Sequence, residues 1–121
     1  MEPITIAVDF DGTIVVHRFP EIGEPVPGAI ETIKYWISTG ARVILWTMRS
    51  GKYLDAAVEY CRNAGIEFYG INKNPSQDWS DSPKAYAHFY VDDMAVGCPM
   101  MNYDDDRIVV DWVKVRELIG L

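Results

Sequence analysis

Short apolar runs alternate with longer amphipathic stretches along the chain. Ile4–Val8 is β-branched, apolar and short, the signature of a buried strand. Residues 14–27, "IVVHRFPEIGEPVP", carry three prolines and a glycine, which predicts a loop or hairpin. A helix follows from about Gly28, with Ile30, Ile33 and Ile37 at helical spacing, Pro27 near its start and Gly40 as its stop. "ARVILWT", residues 41–47, is a second buried strand. Residues 52–64 predict a second helix, with Leu54, Val58 and Cys61 on one face and Gly65 after it. "EFYGI" is a short strand, and "SDSPKAYA" has room for one helical turn. "HFYVDD", residues 88–93, is a third apolar strand, and "DRIVV" a last one. Asp111 then caps a final helix that turns Trp112, Val115 and Ile119 inward.

Strands alternating with helices predict an α/β fold, a mostly parallel central sheet with helices on both faces. The 121 residues suit one domain, residues 1–121. In such sheets ligands bind beyond the carboxyl ends of the strands. The side chains predicted there are Asp9 and Asp11 after the first strand, Thr47 after the second, and Asp92 and Asp93 after the third major one. Lys84 lies just before that last strand.

The acidic pair in "ITIAVDFDGTIVV" needs a cause. Like charges repel, and each carboxylate costs several kcal/mol to bury unpaired. A cation or a reaction must hold them. A carboxylate cluster suits a hard cation, Mg²⁺ above all, which takes one or two carboxylates, waters and a substrate phosphate. Beside it, one aspartate can attack phosphorus and the second can move protons. Thr47 and Lys84 would hold phosphoryl oxygens, helped by Thr13 and the loop around Gly12.

"VDFDGT", the threonine of "VILWT", Lys84 and "FYVDD" resemble, in order, the four motifs of the haloacid dehalogenase (HAD) superfamily. "IAVDFDGTIV.H..PEIG", "ILWT.R.G" and "FY..NK" are similar to a group of small capless bacterial members of unassigned substrate. The resemblance covers residues 4 to about 93. It implies a Rossmann-like three-layer sandwich without a cap domain, Mg²⁺ as cofactor and phosphatase activity. By position it implies that Asp9 is nucleophile and metal ligand. Asp11 is then the acid/base and lends its backbone carbonyl to the metal, Thr47 and Lys84 bind phosphate, and Asp92 and Asp93 serve the metal. Lys73 in "NKN" is the alternative to Lys84, and Arg49 is divided between substrate contact and surface. His17 reads as a loop histidine, His88 as structural, and "YDDDR" as a solvated turn rather than a second metal site.

Composition narrows the partners. The formal net charge is −7 with no basic stripe, which argues against nucleic acid. No apolar run approaches the ~20 residues of a membrane span. "MEPITIA" lacks the features of a secretion signal, and Cys61 and Cys98 fall in no metal or redox pattern, so the expected compartment is the cytoplasm. The partner is then a phosphorylated substrate, small or large. With both cap positions nearly empty, either a bulky substrate or a second copy in a homo-oligomer would cover the site. A receiver-type phosphoacceptor is the rival class, but it has its acid pair first and its lysine last, the reverse of the order here. A non-catalytic binding protein on the same fold is the other, although no catalytic position is lost.

Overall fold

The computed structural model describes residues 2–121. Four parallel strands form the central sheet in the order β3-β2-β1-β4: β1 Thr5–Val8, β2 Arg42–Leu45, β3 Gly70–Ile71 and β4 Phe89–Val91. Three helices accompany them: α1 Ala29–Ser38, α2 Gly51–Asn63 and α3 Trp112–Ile119. The outer strand β3 keeps two residues of the five in "EFYGI".

The connections explain the layers. From β1 through α1 to β2, and through α2 to β3, the chain steps in one direction across the sheet. The return to β4 crosses in the other direction. Right-handed crossovers therefore place α1 and α2 on one face and the 72–88 segment on the other. The core agrees. Ile6, Val8, Val43 and Leu45 pack with Ile33 and Trp36 of α1, Ala57 and Cys61 of α2, and Trp112 and Val115 of α3. The alternate residues Ala7 and Ile44 pack with Ala85 and Ala87 from the 72–88 segment. The molecule has three layers, and the third is irregular chain where helix was expected.

The helical turn expected in "SDSPKAYA" does not form. Side chains capture the backbone there: Ser80 Oγ accepts from the Ser82 N–H, Ser82 Oγ from the Lys84 N–H, and Gln77 Oε1 from the Tyr86 N–H. Such local bonds compete with a helix.

The "DRIVV" strand is also placed differently. Ile108–Val110 (β6) leaves the central sheet and pairs antiparallel with Met100–Asn102 (β5). Asp104, Asp105 and Asp106 are the exposed turn of this hairpin. Asp111 caps α3 as expected, its side chain accepting from the Lys114 N–H.

Neither gap holds an inserted domain. Residues 14–27 form a flap closed by bonds from the Val16 N–H to the Glu24 carbonyl and from the Val26 N–H to the Ile14 carbonyl. Among the described residues no helix is long and apolar enough to cross a membrane.

Candidate active site

The chain reverses its direction of travel between β1 and β4, and a crevice opens at the carboxyl ends of strands flanking such a switch. Asp9 leaves the end of β1, its N–H bonded to the Val91 carbonyl of β4 at 2.9 Å. Asp92 and Asp93 leave the end of β4. One carboxylate oxygen from each of Asp9, Asp92 and Asp93 lies within 4.8 Å of the other two.

Thr13 joins the two acidic turns. Its hydroxyl donates to Asp9 Oδ2 at 3.3 Å and accepts the Asp93 N–H at 3.2 Å. Its carbonyl accepts the buried Trp112 Nε1–H at 2.8 Å. Thr13 is fully buried, so it positions the carboxylates and does not face a substrate. Gly12 has φ +82°, and a Cβ there would run into the Asp93 carboxylate. Glycine is needed for both reasons: the left-handed turn, and the space into which Asp93 leans.

This cluster is electrostatically frustrated by itself. Burial, contact with the Asp93 carboxyl and the charge of Asp92 push the Asp9 carboxyl up to about 8. The Asp93 carboxyl is raised as well, chiefly by burial. Three oxygen donors at this spacing, with their charge unanswered, fit a hard divalent cation.

Asp11 stands apart from the trio. Arg49 Nε donates to Asp11 Oδ2 at 2.8 Å, and Arg49 Nη2 to Asp11 Oδ1 at 2.9 Å. The Asp11 side chain thus faces a guanidinium, and any share it has in a metal site falls to its backbone.

The cavity over these groups has a volume of about 460 Å³ and is lined by Asp9, Asp11, Thr47, Arg49, Asp92 and Asp93, with His17, Phe19, Met48 and Met94 at the rim. Met48 is 97% and Met94 84% exposed, so the mouth is open to solvent. Thr47 is set by two backbone bonds: its N–H donates to Asn72 Oδ1 at 2.8 Å, and its Oγ1 accepts the Arg49 N–H at 3.1 Å.

Lys84 is not in this cavity. It is exposed, and its ammonium sits over the Tyr90 ring, 5.2 Å from the centroid. Tyr90 is paired in register with Ala7, whose side chain belongs to the irregular layer. The irregular 72–88 chain therefore carries Lys84 to the back of the sheet. Lys73 is exposed too and borders a separate depression with Asn74 and Pro83. His88 is structural as expected, its Nδ1 accepting the Thr5 N–H at 3.0 Å.

One contributor was not foreseen from sequence. Asn72, with φ 54°, turns the chain after β3 and holds Thr47 in place. A polar Asn directly after a strand, on the edge where ligands bind, was the available signal.

A solved structure of a conserved protein from Bacteroides thetaiotaomicron is 43% identical, with a TM-score of 0.82 over 98% of this chain and 91% of that one. No family model and no curated protein matches the chain.

Proposed function

The chain belongs to the family of the conserved Bacteroides thetaiotaomicron protein, and from its own residues we propose that it is a Mg²⁺-dependent phosphatase of the HAD type. One observation carries the proposal: Asp9, Asp92 and Asp93 converge beside Thr47 at the sheet's switch point, in a cavity open to solvent. Asp9, Asp92 and Asp93 would hold the cation, with the backbone of Asp11. The bound cation would neutralise the cluster and polarise a phosphoryl oxygen.

The chain's own residues do the rest. An Asp9 oxygen attacks phosphorus, the ester P–O bond breaks, and Asp11 gives the departing oxygen its proton. Water then attacks the same phosphorus and gives a proton to Asp11, and the Asp9–phosphoryl bond breaks to release phosphate. The Thr47 oxygen already accepts from Arg49, which leaves its hydrogen free for a phosphoryl oxygen. The substrate is a phosphorylated compound, small or larger, reached without a lid. The free thiols of Cys61 and Cys98 fit a cytoplasmic setting.

The test is phosphate release from a panel of phosphorylated metabolites with Mg²⁺, wild type against Asp9→Asn. Release by wild type and essentially none by Asp9→Asn is expected. Equal release by both would overturn the nucleophile.

A second reading draws on the Asp11–Arg49 pair, which occupies both oxygens of the acid/base. If the pair stayed closed, a phosphorylated Asp9 would persist, and the protein would act as a phosphoacceptor or binding domain. Intact mass after exposure to acetyl phosphate separates the two. A stable phosphoryl adduct supports the second reading, and free enzyme with released phosphate the first.

A further inference from the structure

Arg49 is the most heavily committed side chain near the cavity. Its side chain is 1% exposed. Nε and one Nη2 hydrogen grip Asp11, and the other Nη2 hydrogen reaches the Glu21 carbonyl at 2.9 Å. The two Nη1 hydrogens reach the Pro20 carbonyl at 3.4 Å and the Tyr53 carbonyl at 3.3 Å. A guanidinium has five N–H donors, and all five are in use. Its faces are covered as well, with Phe10 and Phe19 rings each 5.0 Å from Cζ. The Phe19 ring also packs on Tyr53, centroids 5.4 Å apart. No donor is left for a substrate.

We propose that Arg49 is a positioning residue that couples the flap to the Asp11 carboxylate, so that the Asp11 pair and the flap tip open together. The reason is physical. Pro20 and Glu21 are at the flap tip, Tyr53 is in the first turn of α2, and Asp11 is in the loop after β1. One buried cation bridges all three. If its anion is removed, a desolvated guanidinium cannot stay where it is, and the flap carbonyls lose their partner as it moves. Conversely, Asp11 reaches a leaving group only when its two bonds to Arg49 break. Lysine cannot reproduce this fork, since it is a point charge with three donors. The coupling itself needs no assumption about the reaction. Its catalytic consequence rests on the phosphatase reading above.

Amide hydrogen exchange over residues 16–26, where the Val16, Glu21 and Val26 N–H groups are hydrogen-bonded, tests the coupling, with folding checked by circular dichroism. Arg49→Lys should raise exchange of the flap amides by about tenfold or more, the factor expected from loss of one charge-assisted bond. Asp11→Asn should raise exchange in the same amides, although its carboxylate makes no hydrogen bond to the flap among those described. Asp11→Asn keeps one acceptor oxygen, so it decides the matter if Arg49→Lys does not fold. Wild-type flap exchange in a folded Asp11→Asn would overturn the proposal.

The catalytic consequence is read from leaving groups. Because the closed pair withholds Asp11, Arg49→Lys should speed an alkyl phosphate, whose leaving oxygen needs a proton, by about tenfold relative to an aryl phosphate, which needs little help. Phe19→Ala should loosen the flap without that selectivity. An equal effect of Arg49→Lys on both esters, or a selective slowing of the alkyl ester, would overturn the positioning role. If wild type turns over neither ester, the phosphatase reading fails, and the exchange experiment still decides the coupling.

Discussion

The backbone N–H of Asp93 donates to Thr13 Oγ1 at 3.2 Å, across 80 residues of sequence. The same hydroxyl donates to Asp9. A single buried threonine therefore fixes the spacing of two carboxylates on different strands. Thr13→Val keeps the shape and removes both bonds. It should destabilise the fold by about 1–3 kcal/mol, because the Asp93 N–H is left with no partner. It should also shrink the rise in melting temperature caused by Mg²⁺. Thermal melts with and without Mg²⁺ read both effects, and an unchanged Mg²⁺ response would show that the carboxylates do not need Thr13.

The two acidic clusters should behave differently. Mg²⁺ stabilises the native state by mass action if it binds there. Asp93→Ala should abolish most of that stabilisation. Replacing Asp104, Asp105 and Asp106 together should leave it intact, since they sit in the exposed β5–β6 turn. The reverse pattern would put the metal in the hairpin.

Stability of the metal-free protein should fall as pH rises from about 4 to 8. The native Asp9 carboxyl is pushed up to about 8, whereas the unfolded carboxyl titrates at its ordinary 3.8. Between those values the native state holds a proton that the unfolded state has released. The stabilisation is therefore complete below the lower value and is lost through the upper one. Mg²⁺ must displace that proton, so its stabilising effect should grow over the same window. Asp9→Asn should flatten both trends. A metal-free melting temperature in wild type that falls no more steeply than in Asp9→Asn would contradict this.

Lys84→Ala should change phosphate release by less than about threefold, because Lys84 stacks on Tyr90 and does not line the cavity. Losing a charge that binds a phosphoryl group in the transition state would cost far more, of the order of 10²-fold or greater. Steady-state kinetics on any ester the wild type cleaves settles this, and a loss of that size would mean the 72–88 segment swings Lys84 into the site.

The local sequence was enough for the pieces whose cause is local. Strands β1, β2 and β4 follow from short β-branched runs, and the helices from apolar spacing between Pro or Asp starts and Gly stops. The parallel order follows from their alternation. The acids at the ends of β1 and β4 were legible because strand ends in such sheets form the binding edge. Packing decided the rest. Whether Lys84 faces the cavity depends on which side of the sheet the 72–88 chain takes, and the crossover hand and the Ala85 and Ala87 contacts with Ala7 and Ile44 set that. The same holds for Ile108–Val110, whose partner is fixed by the hairpin with Met100–Asn102 and not by its own apolar run. Asp9 and Asp11 stand two residues apart with the same charge, and the sequence distinguishes them by motif position and not by their charge partners. Only the fold turns Asp9 toward Asp92 and Asp93, and Asp11 toward a guanidinium 38 residues away. Charge partners are chosen through space, and spacing along the chain carries no record of them.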